Sequence, residues 1–223
     1  LGYKQQDLAH QLTRNLKLDD IPWQQTIESS PFGYRRRARL GVRYRKQLDE
    51  IVLGFREEAN SHLTAISDCP VLDARLEVLL KPLHSLISKL EAKSHITQVE
   101  LIAGDEDSAV IIRHLKKLHT TDQNTLKDWA QTHSVQLWAQ GDERNVCLYP
   151  DTTQDLSYQL DDLTLSFGVK DFIQGNAQLN KAMVQQAIDW LAPQADETFL
   201  DLFAGIGNFT LPLAKRVKTV FAV

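Results

Sequence analysis

The stretch that most constrains this chain is Phe199-Leu200-Asp201-Leu202-Phe203-Ala204-Gly205-Ile206-Gly207-Asn208-Phe209-Thr210, an apolar run that ends on an acidic residue and breaks into a Gly-x-Gly turn. Leu211, Leu213 and Ala214 continue at helical spacing, and Lys218-Thr219-Val220-Phe221-Ala222-Val223 returns as a second apolar run. Strand, tight turn, helix and strand together predict a βαβ unit. Glycines at such a turn let the backbone reverse and approach a ligand closely, while the helix that follows offers unpaired N–H groups. A dinucleotide fold would read Gly-x-Gly-x-x-Gly, but Thr210 occupies the third glycine position and weakens that reading.

Upstream, the pattern predicts a different kind of domain. Leu8, Leu12 and Leu16 suggest a short helix over Asp7–Leu18, followed by a loop around Trp23 bracketed by Pro22 and Pro31. Residues 34–46 alternate with period two and lead through Leu48-Asp49-Glu50 into Ile51–Arg56, which reads as a hairpin. Leu72, Leu76, Leu79, Leu83, Leu86 and Leu90 make one apolar stripe over residues 71–92, with Pro82 expected to kink or split the helix. Strands at Ile96–Ala103 and Ala109–Leu115, a helix at Asp122–His133 and strands at Val135–Ala139 and Asn145–Tyr149 follow. Residues 151–167 read as a further strand pair. The expectation is an α+β domain with an antiparallel sheet over residues 1–166, and a second, Rossmann-like unit beginning near 167. Because the chain opens on Leu1 and stops inside an apolar run at Val223, that second unit is expected to be truncated, with its free strand edge at 218–223 a place for self-association.

Charge is unevenly distributed. Seven of the thirteen residues from Tyr34 to Lys46 are basic and none is acidic; removing those seven from the 25 basic residues leaves 18 against 29 acidic ones, a net of −11. On a strand, Arg35, Arg37, Arg39, Arg43 and Arg45 share odd parity and line one face, with Tyr34 and Tyr44 on the other. A row of guanidiniums points to an anionic partner such as the phosphates of nucleic acid, the alternative being a solvated strand balanced by acidic neighbours.

Several stretches, in order along the chain, resemble the bacterial RNA (uracil-C5)-methyltransferases. They are Phe32-Gly33-Tyr34-Arg35-Arg36-Arg37-Ala38-Arg39-Leu40, Gly54-Phe55-Arg56, Asp68-Cys69-Pro70-Val71-Leu72, Asp171-Phe172-Ile173-Gln174-Gly175-Asn176, and Leu200 through Leu211. Asp-x-Phe-x-Gly-x-Gly from Asp201 also resembles motif I of class I methyltransferases, whose cofactor is S-adenosylmethionine. The resemblance implies cofactor contacts at Gln174, Phe203 and Asn208 on the loop carrying Asp201, Gly205 and Gly207. It implies RNA contacts at Arg35, Arg36, Arg37 and Arg39, and an aromatic beside the target base at Phe172. Gln174 and Asn176 read as amides buried near the cofactor loop, where each needs a partner. Within the family, the Arg-rich stretch favours a subgroup that modifies 23S ribosomal RNA; a transfer-RNA or other ribosomal site, a non-catalytic RNA-binding module and an NAD-dependent oxidoreductase remain as alternatives.

The resemblance also implies that Cys69 matches one of four thiolates holding a 4Fe–4S cluster. One thiolate cannot hold a cubane, so no cluster is expected on this chain, and Cys147 is expected to be a core residue of a strand. The family's chemistry runs through a cysteine thiolate added to C6 of the uracil ring and a glutamate base, and neither lies in a matching context here. The chain is therefore expected to contain no catalytic residue of its own. With two cysteines, no run of about 18 apolar residues and no apolar leader, a cytoplasmic protein is expected, with ribosomal RNA and no membrane among its partners.

Overall fold

A computed structural model describes residues 2–17, 21, 23–58, 62–141 and 145–223. Leu18 and Pro22, on which part of the N-terminal expectation rests, lie outside the described residues. In chain order the elements are α1 (Gly2–Leu16), β1 (Arg37–Arg45), β2 (Glu50–Arg56), β3 (Leu63–Ala65), α2 (Ala74–Glu77) and α3 (Leu80–Lys89). A 3₁₀ turn (Glu91–His95) leads into β4 (Ile96–Ala103), β5 (Ser108–His114), α4 (Thr120–Thr132), β6 (Gln136–Gln140) and β7 (Asn145–Tyr149). Then come β8 (Leu156–Leu160), β9 (Leu163–Phe167), α5 (Ala177–Leu191), β10 (Thr198–Asp201), α6 (Thr210–Ala214) and β11 (Thr219–Ala222).

Seven strands form one sheet in the order β3-β2-β1-β4-β5-β6-β7. The sheet is mixed, which corrects the antiparallel expectation: β5 and β6 are parallel, pairing Ala109 with Gln136 and Ile111 with Trp138. A helix between two adjacent strands forces this result, because α4 carries the chain back to the starting edge before β6 begins. Alternation along β1 works as the sequence implies. Ala38, Leu40 and Val42 are buried, while Arg39, Arg43 and Arg45 point outward.

The helical stripe breaks at Val78-Leu79, not at Pro82. Pro82 sits in the first turn of α3, where an N–H has no intrahelical acceptor to lose, so the ring is accommodated without a kink. Leu76, Leu80, Leu83 and Ile87 from α2 and α3 pack with Leu126 and Ala130 of α4 on one face of the sheet, against Leu40, Leu53, Val99, Leu101, Val110 and Leu137.

The opposite face is covered only in part. Ile102, Ala109 and Ile111 pack there with the β8–β9 hairpin (Leu156, Tyr158, Leu165, Phe167), with Val184 and Ile188 of α5, and with Leu213 of α6. This second core draws on residues from both sides of the boundary expected near Phe167. The unit from 167 onward supplies α5 and the parallel pair β10–β11, in which Phe199 faces Val220 and Asp201 faces Ala222. Among the described residues no helix is long and apolar enough to cross a membrane.

One buried carboxylate fastens α4 to the chain before β4. Asp122 accepts backbone N–H groups from Glu91 and Ala92, each at 2.9 Å, and is almost fully buried. Removing it strands one buried and one part-buried donor, so Asp122→Ala is expected to destabilise the protein by about 3 kcal/mol in urea titrations. A loss under 1 kcal/mol would show that the two N–H groups find other partners.

Candidate cofactor loop and RNA ribbon

The glycine turn is a strained, open loop. Asp201 ends β10 and its main chain pairs with Val223, while Ala204 N–H donates to the Val223 carbonyl at 3.0 Å. Gly205 (φ 57°) and Gly207 (φ 87°) occupy the left-handed region. A Cβ on Gly207 would sit 3.0 Å from Leu211, whereas one on Gly205 would meet nothing closer than 4.0 Å, leaving open space for a ligand to approach the backbone. Phe203 also holds a positive φ of 63°, with its ring 97% exposed. A non-glycine residue in that region costs on the order of 1–2 kcal/mol, strain that recurs at ligand-binding turns. Thr210, which broke the dinucleotide pattern, donates its hydroxyl to the Asp201 carboxylate and closes the loop across its mouth.

Asn208 is held from below. Its Oδ1 accepts from the Tyr158 hydroxyl at 2.9 Å and from Asn180 Nδ2 at 2.8 Å, and its own Nδ2 donates to Asn180 Oδ1 at 2.8 Å. Asn180 is 5% exposed on α5 and Tyr158 belongs to β8, so three separate elements meet at one amide pair. Burial pushes the Tyr158 phenol above its ordinary pKa. One N–H of Asn208 is left over for another acceptor. Asn180 and Tyr158 are the residues sequence reading missed; nothing in their local pattern distinguishes them from other helix and strand positions.

Gln174 is exposed, so the expectation that it is a buried amide needs correction; it follows Ile173, whose side chain takes the inward position. It lines a cleft of about 470 Å³ together with Tyr34, Arg35, Asn176, Leu179 and Asn180. Asn176 is half-buried because it caps α5. It accepts from Leu179 N–H at 3.0 Å and donates to Ser29 Oγ at 2.8 Å. Through Asn180, then, the cleft containing Gln174 and Arg35 is joined to the glycine loop. Phe172 stands 76% exposed beside it.

The arginines divide into two kinds. Arg36 is paired to Asp105 at 2.5 Å, and Asp105 in turn accepts Gln159 N–H at 2.7 Å. Arg37 contacts Glu100 at 2.7 Å and donates to the carbonyls of Val169, at 3.0 Å, and Asp171. These two guanidiniums are committed inside the protein, where they tie β1 to the turn before Phe172. Arg39 is 66% exposed with Glu100 no nearer than 3.6 Å, and Arg35 has no side-chain partner among the described residues. Arg35, Arg37 and Arg39 border a shallow groove of about 550 Å³ in which Glu100 is the one acidic lining residue. Behind the ribbon, burial works to raise the Asp73 carboxyl, yet hydrogen bonds and charge from Arg75 hold it below its ordinary value.

Cys69 is half-buried against the main core and its N–H donates to Glu77 at 3.1 Å. Cys147 lies half-buried on the edge strand β7, not in the core, and its thiol donates to the Tyr149 carbonyl at 3.2 Å. Burial raises the Cys147 pKa, which disfavours the thiolate. The two thiols come from opposite ends of the sheet, and among the described residues no group of three or more His, Cys, Asp and Glu is placed to hold a metal. The residues of this chain do not by themselves fit an iron–sulfur cluster.

The amide node makes a coupled unit. Asn180→Ala is expected to cost about 2 kcal/mol and Tyr158→Phe about 1 kcal/mol in thermal unfolding. A double-mutant cycle between Asn180→Ala and Asn208→Ala is expected to show at least about 0.5 kcal/mol of coupling, and strict additivity would contradict the pairing.

The profile of the tRNA (Uracil-5-)-methyltransferase family matches residues 3–223. The chain is 41% identical over 225 residues to the 23S rRNA (uracil(1939)-C(5))-methyltransferase RlmD of Pseudomonas fluorescens, covering 100% of this chain and 49% of that protein. It is 40% identical to RlmD of Pseudomonas aeruginosa over the same span, again covering 100% of this chain and 49% of the relative. This chain thus spans about half the length of the curated relatives it matches. Among solved structures it is similar in fold to the tRNA (uracil-54, C5)-methyltransferase of Pyrococcus abyssi in complex with S-adenosyl-L-homocysteine. The TM-score is 0.65 at 20% identity, covering 94% of this chain and 54% of that one. By the match over almost its whole length, the chain belongs to the tRNA (uracil-5-)-methyltransferase family.

Proposed function

We propose that this chain is the RNA-holding and cofactor-loop portion of a 23S ribosomal RNA (uracil-C5)-methyltransferase that uses S-adenosylmethionine. One observation carries the reading: a single cleft is lined by Arg35 of the basic ribbon and by Gln174 and Asn180, and Asn180 is hydrogen-bonded to the glycine loop through Asn208. Polynucleotide and cofactor machinery thus share a wall. The names of the relatives supply the ribosomal substrate.

When bound, S-adenosylmethionine supplies an electrophilic methyl group on a sulfonium centre. The open space above Gly205, the strained Phe203 and the spare N–H of Asn208 support a cofactor seat formed by Asp201, Phe203, Gly205, Gly207 and Asn208, with Gln174 across the cleft. Phe172, largely exposed on a turn that Arg37 clamps, is suited to stack on an unpaired uracil. Arg35 and Arg39 carry the phosphate contacts, whereas Arg36 and Arg37 set the ribbon's position. The methyl-accepting uracil needs a thiolate nucleophile, and neither cysteine here serves. Cys69 packs half-buried against the main core, and burial raises the Cys147 thiol above its ordinary pKa on the edge strand β7.

Binding of a stem-loop RNA from 23S rRNA, followed by fluorescence anisotropy across a salt series, tests the proposal. Arg35→Gln with Arg39→Gln is expected to weaken binding at least tenfold and to reduce the log–log salt slope by about 1.4–1.8, since each phosphate contact contributes about 0.7–0.9. An unchanged slope would remove these arginines from the RNA interface. With labelled S-adenosylmethionine the 223-residue polypeptide alone is expected to show no methyl transfer, and turnover would contradict the assignment of its two thiols.

A further inference from the structure

Phe32 is an exposed aromatic that the function so far leaves unused. It is 61% exposed, yet the backbone that carries it is tightly fixed. Ser30 Oγ donates to the Phe32 carbonyl at 2.8 Å, Gly33 N–H donates to the Pro70 carbonyl at 2.8 Å, and Gly33 itself takes a positive φ of 67°. Ser29 accepts from Asn176, and Ser30 N–H reaches Gln178 at 3.4 Å, so the strap is moored to the start of α5. Here the moorings hold the ring out in solvent.

The position relates Phe32 to the proposed RNA site. From Phe32 the chain runs through Tyr34 and Arg35, both lining the central cleft, to Arg36, whose N–H donates to the Gly175 carbonyl at 2.8 Å. Arg35 lies opposite Asn176 in an antiparallel bridge, so the segment returning from Gly175 to Phe172 runs alongside in the other direction. Phe32, three residues before Arg35, and Phe172, four residues before Asn176, therefore leave that bridge on opposite sides. Between the rings lie the unpaired guanidinium of Arg35 and the exposed amide of Gln174.

We propose that Phe32 is a second base-stacking surface of this protein, binding an unpaired base of the single-stranded RNA other than the one at Phe172. An aromatic ring at each end with a cation between is the arrangement that single-stranded nucleic acid uses, because every base has a π-face and every linkage a phosphate. The assignment rests on the reading of this chain as an RNA-binding methyltransferase portion.

The test uses the whole chain and a single-stranded RNA oligonucleotide carrying 2-aminopurine, titrated at several salt concentrations. Phe32→Leu keeps an apolar side chain but removes the ring; it is expected to weaken binding about tenfold and to reduce the fluorescence quench, with the salt slope unchanged. Phe32→Trp is expected to restore affinity to within twofold of the original chain. Arg35→Gln is expected to do the reverse, lowering the salt slope by about 0.7 while sparing the quench. If Phe32→Leu binds within twofold of the unmodified chain while salt-dependent binding persists, stacking at Phe32 is overturned and the RNA reading stands. If Phe32→Leu instead lowers the melting temperature by several degrees with RNA affinity intact, the ring is a packing residue and the proposal fails. Absence of salt-dependent binding by the unmodified chain would remove the RNA reading itself, and this assignment with it.

Discussion

Two half-buried arginines hold the molecule together where its parts meet. Arg36 is neutralised by Asp105 and Arg37 by Glu100, and each reaches further, to the β8 hairpin through Asp105 and to the carbonyls of 169 and 171 directly. A charge withdrawn from water is tolerated only when paired and hydrogen-bonded, so this seam has little freedom to rearrange. Because Arg36 and Arg37 are immobilised, the neighbouring Arg35 and Arg39 are presented outward at fixed positions, and Phe172 follows from the turn that Arg37 clamps. The basic ribbon is accordingly part scaffold and part surface. Close ion pairs neutralise it at Arg36 and Arg37, whereas Arg35 and the loosely held, exposed Arg39 are suited to phosphate.

A second constraint acts on the glycine loop. Its conformation carries strain at Phe203 and left-handed backbone at Gly205 and Gly207, yet the Thr210–Asp201 bond across the mouth and the Asn208–Asn180–Tyr158 node beneath hold it. The node reaches from α5 and β8, elements that also build the second core with Ile102, Ala109 and Ile111. Packing of that core therefore sets the height of the loop relative to the cleft. Mechanical continuity from core to loop to cleft fixes the glycine loop relative to the cleft lined by Arg35 and Gln174.

Much of this was legible in the residues. The β1–β2 hairpin follows from period-two alternation and a polar turn, and the outward parity of Arg39, Arg43 and Arg45 follows from the same alternation. The βαβ unit at 198–222 was carried by glycine spacing, and the family resemblance by motif order. Where the reading went astray, longer-range facts were decisive. Pro82 reads as a kink only if the helix is assumed to begin at 71; beginning at Leu80, it occupies the first turn. The parallel β5–β6 pair was implied by a helix between consecutive strands, a signal that the local alternation outweighed. The partners of Arg36 and Arg37 lie 69 and 63 residues away, and those of Asn208 lie 28 and 50 residues away, distances over which no local pattern speaks. Thr210 and Asp201, nine residues apart on one loop, were within reach of sequence reasoning.

The central claim is that polynucleotide lies along the arginine ribbon and across the cleft toward the glycine loop. Photocrosslinking of a 4-thiouridine-substituted ribosomal RNA stem-loop to the chain, with peptides located by mass spectrometry, tests it most directly. The account predicts adducts concentrated in residues 30–45 and 170–176. Adducts concentrated instead on the helical face, at α3 and α4, would place the RNA on the wrong side of the sheet and contradict it.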